Sequence, residues 1–255
     1  MASATRILFL SGDVVPFTKA TDLASLVRRL PEQIQEAGDY ETRIMMPRYG
    51  TVSERRNRLH EVIRLSGSDI PMGEDVETLK VKVASIPGVR LQVYFMDNRT
   101  YFKRKGLWSD KKGVVYEDNP ARALFFGRAV MATLSKLGWS PDIVHTFGWA
   151  SGLVPALLRT EFKADPLFAK AKIVHTPDGI LTDASPLPAE LVERLGLPAD
   201  LTGQALNEAA LAYADAALYP PHLDAPDGQA AFSGDAETAP QEAMAFYDQL
   251  VGVPA

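Results

Sequence analysis

Residues Ile7 to Pro31 read ILFLSGDVVPFTKATDLASLVRRLP, and the order of residue types within them decides the fold class. Four apolar residues in a row, Ile7-Leu8-Phe9-Leu10, are too few to span a membrane and suit a strand buried on both faces. A loop from Ser11 to Thr21 follows, with Gly12, Pro16 and a lone Lys19. A helix then opens at Thr21 or Asp22, both good capping types, with Leu23, Leu26, Val27 and Leu30 on one face. Strand, loop and helix N-terminus in this order point backbone N–H groups and a positive dipole end at any bound anion.

Working outward, the 255 residues are enough for one large α/β domain or two small ones, and 46% hydrophobic content supplies a real core. The chain has no cysteine, which removes disulfides, thiol nucleophiles and thiolate metal sites together. The opening residues run straight into the first strand with no apolar signal region, so a cytoplasmic address is expected. The net charge of -5 is unevenly spread. After Arg194 there is no Lys or Arg but nine Asp and Glu, leaving the first 194 residues with 27 basic against 23 acidic groups. The basic clusters Arg55-Arg56-Asn57-Arg58 and Lys103-Arg104-Lys105 are interrupted by Glu54, Glu61 and Asp110. They read as solvated faces, and neither nucleic acid nor a membrane is expected as a partner.

Further along, Thr42 to Met46 reads as a second strand ending at Pro47, and residues 51 to 76 are polar and loop-rich. Leu79 to Ala84 and Val89 to Met96, parted by Ile86-Pro87-Gly88, form a hairpin pattern. Ala123, Phe126, Val130, Leu134 and Leu137 repeat at helical spacing from about Pro120 until Gly138 stops the run. Two short buried-type strands, Asp142 to His145 and Ile173 to Thr176, each precede a loop, and a helix from Gln204 to Tyr213 leads to Ala216-Ala217-Leu218-Tyr219. Alternating strands and helices predict a single α/β, Rossmann-like three-layer domain with a mainly parallel sheet plus a hairpin, over residues 1–219. Ligands of such sheets sit at the carboxyl ends of the strands. Residues 220–240 read as a flexible linker, and 241–255 as a short helix docking back.

Taken together these residues resemble the N-terminal half of bacterial glycogen and plant starch synthases. The matches begin with Ile7-Leu8-Phe9, Val15-Pro16-Phe17, Lys19, Leu30-Pro31 and Met46-Pro47-Arg48-Tyr49-Gly50. They continue through Val93 to Asn98, Tyr101-Phe102, Asp118-Asn119, Phe125-Phe126, Leu137-Gly138-Trp139 and Pro141 to His145. Trp149, Gly152 to Leu158 and Tyr213-Ala214-Asp215 complete them in order, so the similarity covers about residues 6 to 219. The resemblance implies one half of a two-Rossmann-domain glycosyltransferase. That family transfers glucose from ADP-glucose to the end of an α-1,4-glucan with retention, in a cleft between the two domains, and no cofactor is implied. The second domain, which in that family grips most of the nucleotide, is not expected within these 255 residues.

The resemblance also locates a vestigial donor site at Lys19, Thr21, Asp22, His145, Gly148, Trp149 and Asp178. The family's Lys-x-Gly-Gly reads Lys19-Ala20-Thr21-Asp22 here. Glycines at that turn let a diphosphate approach the helix N-terminus, whereas Asp22 would cap the helix itself and face the phosphate with a carboxylate. Like charges about 4 Å apart at an effective dielectric near 20 repel by at most about 4 kcal/mol. The family's His-x-His-Asp-Trp becomes His145-Thr146-Phe147-Gly148-Trp149, and its Thr-x-His-Asn becomes Thr176-Pro177-Asp178-Gly179. His145 reads either as a satisfied core histidine or as a catalytic one. The four histidines, at 60, 145, 175 and 222, show no metal-ligand spacing.

Three readings of function follow. One is a catalytically degenerate domain kept to bind glucan or a partner in glycogen metabolism. Another is a synthase half completed by a separate chain. The last is a structural or regulatory module without a carbohydrate ligand. A homodimer through the cleft face is a further expectation, since that face would otherwise stand open.

Overall fold

The computed structural model describes residues 4–179 and 186–252. Strand β1 (Thr5–Ser11) is followed by helix α1 (Asp22–Glu36) and β2 (Tyr40–Pro47). A short helix α2 (Glu54–Asn57), β3 (His60–Glu61), β4 (Ser68–Met72), β5 (Asp75–Ser85) and β6 (Gln92–Asp97) come next. Then follow α3 (Arg99–Phe102), the long α4 (Asn119–Leu137), β7 (Ile143–Phe147), α5 (Val154–Arg159) and β8 (Lys172–Thr176). The chain closes with α6 (Ala189–Arg194), α7 (Leu206–Tyr213), β9 (Ala216–Tyr219), β10 (Ala230–Ala231) and α8 (Ala239–Val251).

The strands form one sheet in the order β10-β9-β8-β7-β1-β2-β6-β5-β3, with β4 paired to β5. From β10 to β6 every pairing is parallel, and the β5–β6 hairpin with its neighbours is antiparallel. The mainly parallel sheet plus hairpin is therefore the architecture present. Ile7, Leu8, Phe9 and Leu10 are all fully buried, so both faces of β1 are covered, as its unbroken apolar run requires. Helix α1 packs on β1, β2 and α8, while α4 packs on α5 and β4. Gly127 permits that last approach: a Cβ there would lie 2.6 Å from a Leu157 methyl. Helix α4 ends where Gly138 turns left-handed (φ +61), a conformation that costs glycine little.

Residues 220–240, read from composition as a linker, contain β10 paired to β9, the buried Phe232 and the first residues of α8. The Arg29 guanidinium donates to the Ala236 carbonyl at 2.8 Å, tying this segment to α1. Helix α8 then buries Tyr247 completely, and Tyr40 donates to the Asp248 carboxylate at 2.7 Å.

Candidate functional site

The parallel register sets the carboxyl ends of β1, β2, β7 and β8 side by side, so their loops meet over one end of the sheet. In the β1–α1 loop, Thr21 is the helix cap: its Oγ1 accepts from the Ala24 N–H at 3.0 Å and donates to the Asp13 carboxylate at 2.9 Å. Of the two capping candidates, Thr21 takes the cap, and Asp22, expected to cap the helix itself, is instead the first helical residue and is exposed. Burial pushes the Asp13 carboxyl above its usual range, against the Thr21 and Ser11 hydrogen bonds that hold it down. Lys19 is exposed. Asp22 borders a groove of about 360 Å³ shared with His222, Phe232 and Asp235.

At the end of β7 the fully buried His145 has both ring nitrogens occupied. Nδ1 lies 2.5 Å from the Tyr247 hydroxyl and Nε2 lies 2.8 Å from Thr176 Oγ1. Thr176 gives its own proton to the Leu218 carbonyl at 2.7 Å, so it accepts from Nε2–H, and Tyr247 donates to Nδ1. Phe147 stacks on the imidazole at 3.9 Å. His145 thus sits as a satisfied interior group. His175, also fully buried, lies between Thr146 Oγ1 at 2.9 Å and Asn207 Oδ1 at 3.1 Å.

Gly148 has φ 64 and ψ -171, a region open in practice to glycine alone. A Cβ there would stand 2.1 Å from Asp178 Oδ2. That same oxygen accepts from the Trp149 N–H at 3.2 Å, and Oδ1 accepts from Asn207 at 2.7 Å. The Asp178 carboxylate therefore fills the volume that a side chain at 148 would take.

The structure brings Gly148, Trp149 and Asp178 together and sets His145 beneath them, while Lys19 and Asp22 lie on the exposed turn. Several participants escaped the sequence reading. Tyr49, just past β2, is fully buried, and its phenol is held above the usual range by burial, with Arg122, Asp13 and Asp178 near enough to act on it. A Cβ at Gly12 would be 3.4 Å from the Tyr49 hydroxyl and 3.7 Å from Trp149 Nε1. Arg122, an arginine inside the long and largely buried helix α4, was the one available sequence signal. Among the described residues no group of three His, Cys, Asp or Glu could hold a metal ion. None of the described helices is long and apolar enough to cross a membrane.

The histidines give a pH prediction. Burial pushes His175 down to about 4 and His145 well below its ordinary value. In the unfolded chain each titrates near 6.5, so below that pH the unfolded state gains protons first and stability falls. The decline runs from about pH 6.5 towards pH 4, at up to roughly 1.4 kcal/mol per unit for each histidine. The raised Asp13 carboxyl works the other way and offsets part of it. Urea midpoints at pH 7.5, 6 and 5 should decrease in that order; a flat profile would contradict the two neutral buried imidazoles.

Comparison with known proteins settles the family. The model of the starch synthase catalytic domain matches residues 6–218. The chain belongs to that family. The glycogen synthase of Chlorobaculum parvum is 42% identical over 172 residues, covering 67% of this chain and 35% of that protein. The glycogen synthase of Chlorobium luteolum is 39% identical over 199 residues, covering 78% and 40%. This starch-synthase-family chain thus spans two fifths or less of these curated relatives. The catalytic domain of Starch Synthase IV from Arabidopsis thaliana, solved with ADP and acarbose, has the same fold: TM-score 0.70, 17% identity, 85% of this chain and 45% of that one.

Proposed function

We propose that this chain is a binding member of the starch synthase family, silent in glucosyl transfer by itself, that holds an α-glucan or a protein partner in glycogen metabolism. One observation carries the reading: the Asp178 carboxylate lies in the space over Gly148 and is bonded to Asn207 and the Trp149 N–H. In the family pattern these two positions carry an aspartate and a histidine on the sugar side of the cleft. Here the pair is reduced to one carboxylate with both oxygens engaged within the protein, Oδ2 by the Trp149 N–H and Oδ1 by Asn207, which weakens what it can offer a donor glucose. Thr21 is engaged in the same way, between the helix N-terminus and Asp13.

Calorimetric titration of the purified protein with maltoheptaose and then ADP-glucose tests this. Heat with maltoheptaose and none with ADP-glucose is the expected result. Glucosyl transfer by the isolated chain would refute the proposal. A second reading, a synthase half completed by another chain, draws on the exposed Lys19 ahead of the α1 N-terminus, a charge that suits a phosphate. Heat with ADP-glucose would favour it. Silence with both ligands would leave the protein partner, whose simplest form is a second copy across the cleft face, read by sedimentation.

A further inference from the structure

Arg122 is fully buried on α4, and the interior answers only part of its guanidinium. Nε donates to the Tyr101 carbonyl at 2.9 Å and Nη1 to Asn119 Oδ1 at 2.6 Å. Nη2 has no partner. No carboxylate among the described residues lies within ion-pair distance of it; the near one, Asp118, is held by both arms of Arg104 at 2.5 Å. The rings of Tyr49, Phe102, Tyr116 and Trp149 surround Cζ at 5.2 to 5.7 Å. Such rings attract the charge but are only weak acceptors for an N–H group. A buried cation with a donor left over is costly unless an acceptor joins it.

A second orphan stands in the same cluster. The Tyr49 hydroxyl is buried and without a partner, on a ring 5.7 Å from Arg122 Cζ. It faces the place where Gly12 has no side chain, with the Trp149 indole nitrogen beside that place. Six buried side-chain polar atoms lack a partner among the described residues, and these two share one cluster, at the end of the sheet where such folds place ligands. We propose that Arg122 and Tyr49 form an oxyanion-accepting site in the floor of the cleft, taking one anionic oxygen of a phosphate or carboxylate ligand. Half-buried Tyr116 and Arg104 lie on its outer side. The site does not depend on glucan binding, and its test contains no glucan.

The probes are inorganic phosphate and acetate, each compared with chloride at equal ionic strength, read as the shift in thermal midpoint. The wild type is expected to gain several degrees with at least one of them, and whichever acts identifies the phosphate or carboxylate source. Tyr49→Phe removes only the orphan oxygen. Without added anion it should melt no lower than the wild type, since it relieves an unpaired buried hydroxyl. In the anion it should lose most of the gain. Arg122→Met should lose the gain entirely. The proposal is overturned if neither anion shifts the wild type beyond chloride, if Tyr49→Phe retains the full shift, or if Tyr49→Phe melts well below the wild type without anion.

Discussion

Tyr247→Ala lowers the free energy of unfolding by about 3–5 kcal/mol, the range for truncating a large buried aromatic side chain. Tyr247 is fully buried on α8 and stands edge-on to His145, with ring centroids 5.7 Å apart. Its hydroxyl is the donor that satisfies His145 Nδ1, a contact made across 102 residues of chain. Losing the ring opens a cavity beneath the sheet and strands a buried ring nitrogen. Tyr247→Phe isolates the second effect and costs about 1–3 kcal/mol, the penalty for leaving one buried polar atom unpaired. Urea denaturation of the three proteins measures both. A loss below 1 kcal/mol for the alanine variant would mean that α8 does not hold the core as described. The Tyr40–Asp248 hydrogen bond anchors the same helix, and burial, then the Asp248 carboxylate, push the Tyr40 phenol upward.

Gly148→Asp, which installs the residue that the family resemblance implies there, is the second large effect. The new Cβ would meet Asp178 Oδ2 at 2.1 Å on a backbone at φ 64 and ψ -171. Strain in that region costs about 1–3 kcal/mol, and forcing atoms into a filled site typically adds about 1–3 kcal/mol. The single variant should therefore lose about 2–6 kcal/mol. Asp178→His made alone breaks the Asn207 and Trp149 contacts, whereas the double variant, which carries both family residues, removes the carboxylate collision. A double-mutant cycle should show coupling of about 1–3 kcal/mol in the recovering direction. If the two changes were additive, positions 148 and 178 would not share one volume, and the main support for a silent donor site would disappear.

Much of this fold is written locally. The apolar run Ile7 to Leu10 marks the central strand, the helical repeat up to Leu137 marks α4, and Gly138 marks its end; each signal lies within a few residues of the element it specifies. The hairpin of β5 and β6 is equally local, with Ile86-Pro87-Gly88 between its arms. The ordered motifs carried the family, because they reflect many positions at once. At the site, the sequence located the altered turn at Lys19 to Asp22 and the changed loop at Gly148, since each departure sits inside a recognisable motif.

What the sequence left open was set by parallel register. Pairing Phe9 with His145 and His145 with Val174 decides which loops become neighbours, and no local pattern encodes that pairing. Asp178 reaching the empty side of Gly148, Tyr247 capping His145, and Arg122 meeting Tyr49 are all contacts between residues far apart in the chain. The Gly- and Pro-rich composition of 220–238 describes how freely that backbone turns, but Phe232 and the tie from Arg29 decide where it lies. Sequence by itself determined the main strands and helices and the kinship of this protein, but not α2, β3, β4 and β10, short elements inside stretches that read as loop or linker. Only the tertiary structure decided which polar groups are spent within the protein and which are left over, because that depends on distances between separate strands and helices.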